Sequence, residues 1–310
     1  MNLRGFLHLL IVYLVWGSTY LAIRVAVRDE SGFPPFFMAG ARVLAGGFIL
    51  WVWARLKKDR VRPTRAEWGT ILASAALLWI GGNGAVVWGE QRVPSVYAAL
   101  LVGALPLWVA IVEALLDRRP PTLKMIAALL LGFAGIAVIS YPELRVARGP
   151  ELLPTLALFF APISWGIGSV IQQRRPVALT PEASSAYQQL SASVLFLILA
   201  LGLREPTPHP VPGAWAAWGY LVIFGSVIAF TSFVKALRLL PVKIVMTYAY
   251  VNPVVAAFLG WWILGEPITK WTVVGTILVV LGVTGVLANK RRTTAGMNAI
   301  KRVSFARRSA

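Results

Sequence analysis

Arg42 is the side chain whose chemistry most constrains this sequence. It stands nine residues into an apolar stretch that begins at Phe33, about 13 Å deep if that stretch is a helix rising ~1.5 Å per residue through a membrane. At such depth a guanidinium must face protein or water rather than lipid. It cannot deprotonate at physiological pH, so two uses are open to it: bonding to backbone carbonyls inside a bundle, or supplying positive potential for a substrate carboxylate. Gln188 occupies the related place 146 residues later. Arg24 is close enough to its helix end to snorkel.

Other polar and aromatic residues near mid-span share faces at helical spacing. Trp16 and Tyr20 form one such face, Trp79 and Asn83 a second, Trp165 and Ser169 a third, Tyr187 and Gln188 with Ser191 a fourth, and Tyr248 and Asn252 a fifth. Trp and Tyr ordinarily favour the headgroup belt. A midplane cluster therefore points to a substrate-binding cavity walled by ring faces with a few amides and hydroxyls, although each residue taken singly also fits a packing role. Pro106 and Pro253 are hinge candidates, since each removes a backbone hydrogen bond and kinks its helix.

The acidic residues are placed unlike those of an enzyme. Eleven of the twelve lie in links or at span ends. Glu113, about one turn from the end of its span, reads as a boundary carboxylate near Arg118 or its neighbours, with a proton relay as the alternative. His8 is near the start of the first span and His209 is in a link. Paired carboxylates on a metal, or a histidine base beside a nucleophile, are not gathered in the spans. There is no cysteine, which excludes disulfides and thiolate metal sites, and no Gly-Lys-Ser/Thr phosphate loop. No cofactor and no metal site is read.

What must position these residues is a membrane bundle. Of 310 residues 58% are hydrophobic and only 14% charged, with a mean hydropathy of +0.72, where soluble domains carry about 25% charged residues. Ten apolar runs are long enough to cross a bilayer, at 6–27, 33–54, 67–88, 94–116, 122–141, 151–172, 181–203, 213–234, 241–264 and 269–288. The links between them leave no room for a soluble domain. The net charge of +18 reads as orientation and contact with anionic lipid rather than nucleic acid. Lys and Arg number 22 on the side of the termini against 6 on the other, so both termini are expected in the cytoplasm. The tail from Lys290 to Ala310 is expected to lie against anionic lipid without fixed structure. The first span is too long for a signal sequence and is expected to be retained.

The chain also repeats itself. Trp16-Gly17 matches Trp165-Gly166 at an offset of 149, Trp68-Gly69 matches Trp218-Gly219 at 150, and Pro94, Pro106 and Gly135 match Pro241, Pro253 and Gly282 at 147. Five spans per half is an odd number, so the halves enter from opposite sides. The expected fold is an all-α membrane protein of two inverted-topology five-helix repeats, 1–148 and 149–289, with a basic tail at 290–310 and the substrate between the repeats. Gly132 and Gly135 in the fifth span, with Gly275, Gly282 and Gly285 in the tenth, are expected to allow close helix packing.

Trp16-Gly17-Ser18-Thr19, the stretch from Ala236-Leu237 through Asn252-Pro253 to Gly265-Glu266-Pro267, and the Gly-rich last span together resemble the ten-helix, EamA-type exporters of the drug/metabolite transporter superfamily. The resemblance covers essentially the whole chain, and within the superfamily it is nearest in look to YddG-like exporters of aromatic amino acids. Arg119 stands where the second repeat has Glu266, so the Gly-Glu element occurs once. The resemblance implies an inner-membrane secondary transporter of small amphipathic metabolites, aromatic or large neutral amino acids. The absence of a midplane carboxylate points to uniport. A membrane-embedded enzyme acting on lipid-soluble substrates and a pore are the alternatives.

Overall fold

The computed structural model describes residues 2–93, 95–146, 151–264 and 267–306. Gly265, Glu266 and Arg148 lie outside them, as do the side chains of Tyr20 and of everything beyond Ala288. Ten helices are long and apolar enough to cross a membrane: α1 Leu3–Val27, α2 Pro35–Leu56, α3 Arg65–Gly89, α4 Ala98–Asp117, α5 Leu123–Pro142, α6 Leu152–Arg174, α7 Pro181–Gly202, α8 Pro212–Leu239, α9 Val242–Leu259 and α10 Lys270–Ala288. The described residues contain no strand. In hydrocarbon every backbone donor must be met within the segment, which only helices achieve here.

Their ends are set by ordinary capping chemistry. Thr64 and Glu67 form a reciprocal box at the start of α3, Thr64 Oγ1 accepting from Glu67 N at 3.3 Å and Glu67 Oε2 from Thr64 N at 2.8 Å. The Glu205 carboxylate, reaching from the link after α7, accepts from the Phe36 and Phe37 amides at 2.9 and 2.8 Å and caps α2. Prolines occupy the first turns of α2, α7 and α8, where a missing N–H costs nothing.

Two pairs of helices run closely side by side, α2 with α7 and α5 with α10. α1 packs on α8 and α9, and α6 correspondingly on α3 and α4, so each half packs its first helix on the third and fourth of the other. The α5–α10 pair closes through glycines. A Cβ at Gly282 would stand 2.5 Å from Gly132 N, and one at Gly135 would stand 2.7 Å from the Gly275 carbonyl, so nothing larger fits between these backbones.

Two helices change winding midway. Residues 75–84 of α3 and 221–229 of α8 are wound as π-helix, the wider i→i+5 turn that often marks functional sites. α4 breaks at Ala104, two residues before Pro106. α9 breaks at Met246 and Thr247, and Pro253 lies further on, inside a helix that continues to Leu264.

Polar chemistry concentrates on the side of the chain's termini, here the terminal side. Arg60 pairs with Glu67, Arg174 with Asp117 at 2.7 Å, Lys235 with Glu182 at 2.7 Å, and Lys243 with Glu113 at 3.2 Å. Glu113 is therefore a boundary carboxylate paired with Lys243 of α9, rather than with Arg118 or its neighbours. The chain turns sharply between α8 and α9, and this brings a lysine closer than the arginines that follow Glu113 in sequence. One further expectation is corrected. The backbone after Ala288 stays helical to Ala306, because the tail, though basic, is made largely of helix-tolerant Ala, Lys, Arg, Met and Ile.

Candidate functional site

The site is assembled on Arg42. Its side chain is 3% exposed. Nε donates to Ser226 Oγ at 3.0 Å, and the guanidinium carbon lies 5.8 Å from the Trp79 ring centroid. Nη1 is buried with no hydrogen-bond partner, and Arg42 makes no ion pair among the described residues. The π-wound part of α8 presents Ser226. There Gln189 Nε2 holds the Ser226 carbonyl at 3.1 Å, and a Cβ at Gly225 would come within 3.0 Å of Arg42 Nη2. Glycine at 225 thus leaves the guanidinium its room.

Arg42 borders a cavity of about 70 Å³ lined from α1 by Trp16, Thr19 and Ile23, from α3 by Trp79, Gly82, Asn83 and Val86, from α4 by Val102 and Leu105, from α6 by Ala161, Pro162 and Trp165, and from α9 by Tyr248 and Asn252. By chain direction the α1, α3, α4 and α6 residues lie midway or further from the terminal side. The wall nearest that side is aromatic. Trp16 meets Trp165 and Tyr248 edge-on at 5.5 and 4.8 Å, and Phe233 in a tilted contact at 5.2 Å. Such contacts are worth about 0.5–1.5 kcal/mol each beyond burial. Trp16 is tied down by its Nε1 to the Gly225 carbonyl at 3.4 Å. In contrast, Asn83 Oδ1, Trp165 Nε1 and both amide atoms of Asn252 are buried without partners. Native interiors rarely leave such groups unmet, and here they surround one cavity. It can therefore hold an anion against Arg42, hydrogen-bond to donors and acceptors at Asn83 and Asn252, and stack a flat group on its rings.

Of the residues singled out by spacing, Trp16, Arg42, Trp79, Asn83, Trp165, Tyr248 and Asn252 line this cavity. Three others lie away from it. Ser169 turns its hydroxyl back to the Trp165 carbonyl at 2.7 Å and is part of the packing. Tyr187 donates to the Val61 carbonyl and packs edge-on against Trp68, at the terminal end of the bundle. Gln188 lines a separate small cavity. The Tyr20 side chain lies outside the described residues. Spacing alone missed Thr19, three residues after Trp16, and Ser226, whose only signal was the adjacent glycine. Glu90, read as a link residue, lines neither this cavity nor the separate small one. Glu90 follows α3 one turn beyond Val86, and burial pushes its carboxyl up to about 8 against the opposing pull of Arg24.

Residues 3–141 and, separately, 152–288 match the EamA-like transporter family. The chain is 32% identical over 272 residues to the inner membrane transporter YedA of Escherichia coli (strain K12), 86% of either chain being covered. It is 26% identical to the S-adenosylmethionine/S-adenosylhomocysteine transporter of Chlamydia trachomatis, covering 86% of this chain and 84% of that one. A crystal structure superposes with a TM-score of 0.78, covering 94% of this chain and 99% of the other at 21% identity, a likeness of fold.

Proposed function

The chain belongs to the EamA-like transporter family, an integral inner-membrane transporter, and from that premise we propose that it exports small amphipathic amino acids, aromatic or large and neutral, by alternating access. The observation that carries this reading is Arg42: a buried guanidinium with no carboxylate beside it among the described residues, facing a cavity of tryptophan and tyrosine rings. A substrate carboxylate supplies the missing counter-charge, the rings supply area for its side chain, and Asn83 and Asn252 supply acceptors for its amino group. Both termini are cytoplasmic in this reading, so reporter fusions at Arg60 and Ala310 read inside and a fusion at Arg148 reads outside.

Energy coupling follows from the same lining. Among the described residues the cavity holds no carboxylate and no histidine, the groups that usually carry a coupling proton. Transport then runs down the substrate's own gradient as a uniport. In proteoliposomes labelled phenylalanine exchanges against unlabelled phenylalanine without an imposed pH gradient. A saturable counterflow supports the carrier, and unsaturable flux without trans-stimulation makes it a pore. Accumulation driven by a pH gradient alone, and abolished by Glu113→Gln, overturns the uniport. A second substrate reading comes from the Chlamydia relative's name. S-adenosylmethionine also joins an amino-acid carboxylate to a flat ring, and its sulfonium suits a tryptophan face. Competition of S-adenosylmethionine against labelled phenylalanine ranks the two.

A further inference from the structure

A second cavity lies in the terminal half of the bundle. It measures about 10 Å³, room for about one water molecule, and is lined by Thr70 of α3, Gln172 of α6, Ser184 and Gln188 of α7, and Val234 and Arg238 of α8 among others. Its polar lining is in excess of what its size needs. Gln172 and Gln188 are 9% and 1% exposed. Both amide atoms of Gln172 and Oε1 of Gln188 have no hydrogen-bond partner, while Gln188 Nε2 donates to Ser184 Oγ at 3.1 Å. Three amide atoms without protein partners around one small space are costly unless a water fills it or another state of the protein uses them.

The internal repeat identifies that state. At the offset of 149 that joins Trp16 to Trp165, Ile23 of the large cavity becomes Gln172 of the small one. α2 and α7 are both 22 residues long and both begin with proline, Pro35 and Pro181. At that offset of 146, Arg42 becomes Gln188. α3 supplies a further wall of the large cavity and α8 one of the small, which Thr70 and Ile71 of α3 also line. The small cavity is thus bounded in part by the repeat mates of residues and helices that bound the large one. Inverted-repeat carriers change sides by exchanging the conformations of their halves.

We propose that the small cavity is the contracted form of a second substrate site, the one that loads substrate from the terminal side; the proposal rests on the carrier reading above. Its chemistry suits the same class of ligand, a small molecule with a carboxylate and an amino group. Two glutamine amides and a serine hydroxyl line it, and Arg238, whose Nη1 donates to the Leu179 carbonyl at 2.9 Å, carries positive charge at the rim. A latch holds it shut. Gln173 Nε2 donates to the Leu237 and Leu240 carbonyls at 3.0 and 2.7 Å, and Gln173 Oε1 accepts from Val242 N at 3.2 Å. That one side chain ties α6 to the turn between α8 and α9, so loading requires its release.

The chain has no cysteine, so single cysteines can be introduced without background. Ser184→Cys, Gln188→Cys and Gln172→Cys are treated with the membrane-impermeant thiol reagent MTSET in inverted and right-side-out vesicles, with Arg62→Cys marking the terminal side and Asn83→Cys the large cavity. Since modification tracks the population of the open form, the small-cavity cysteines react about tenfold faster in the vesicles that label Arg62→Cys, and Asn83→Cys shows the reverse preference. Modification at Ser184→Cys, which exchanges one oxygen for sulfur, also blocks counterflow. If all three folded small-cavity variants stay unreactive from both sides while Arg62→Cys labels fully, or react without sidedness, the cavity is a sealed packing defect and the proposal fails. Labelling needs no substrate. Sided labelling without phenylalanine counterflow therefore overturns the amino-acid reading and supports the loading site, whereas counterflow without labelling overturns the loading site alone.

Discussion

Replacing Arg42 separates its two possible uses. Nη1 has no partner, Nε has one neutral partner at 3.0 Å, and the nearest aromatic face is 5.8 Å away, so the fold gains little from the charge. A hydrogen-bonded contact between that charge and a substrate carboxylate is worth about 1.5–3 kcal/mol, which corresponds to a ten- to hundredfold rise in half-saturating phenylalanine for Arg42→Gln. Arg42→Met should fold at least as stably as the parent, because it removes a buried charge that lacks a counter-ion. The assay is counterflow in proteoliposomes with phenylalanine and phenylalaninamide, together with thermal unfolding of each variant in detergent. The parent prefers the acid over the amide, and Arg42→Gln abolishes that preference. An equal loss for acid and amide, or a fall in Tm with the acid preference intact, would refute the assignment and return Arg42 to a structural role.

Three further outcomes follow from particular contacts. Trp165→Ala and Trp79→Ala should each weaken counterflow while leaving folded protein in the membrane, and normal transport in both would make the aromatic wall packing only. Gly282→Val places atoms where Gly132 backbone already stands at 2.5 Å and should cost about 1–3 kcal/mol by overpacking, read as a lower Tm and a lower yield of monodisperse protein. For Glu90, the folded carboxyl titrates near 8 against an ordinary value of 4.5. The folded chain therefore holds an extra proton between those values and loses stability as pH rises through that window. Glu90→Gln should flatten the fall of Tm from pH 5 to pH 8, and an unchanged slope would show that Glu90 is not the group responsible.

The ten spans and the aromatic, amide and guanidinium part of the cavity lining were legible because hydrocarbon enforces simple rules: runs long enough to cross, polar groups only where protein or water receives them. Arg42, Asn83 and Asn252 stood out for that reason. Ser169 misled because a hydroxyl can satisfy itself on its own helix, as it does on the Trp165 carbonyl. Tyr187 misled because spacing places residues on a common face without saying which neighbour that face meets. Gln188 lines a separate cavity, because a repeat offset relates positions in the two halves without saying that they meet at one site. Ile23, Val86 and Val102 line the cavity with ordinary apolar side chains, and nothing in their type marks them among dozens of others.

The π-wound stretches bear on how such a chain tolerates insertions and deletions. A π turn contains one residue more than an α turn, and an α-helix advances about 100° per residue. Removing a single residue from 75–84 or 221–229 lets the wide turn tighten to regular winding while the segments on either side keep their faces, whereas the same deletion in a regular helix would turn one segment by about 100°. Length changes there are absorbed by local rewinding of the helix and do not break the span. Two homologous sequences that differ by one residue within these stretches therefore share a bundle and its helix faces, and differ only in the rewound turn.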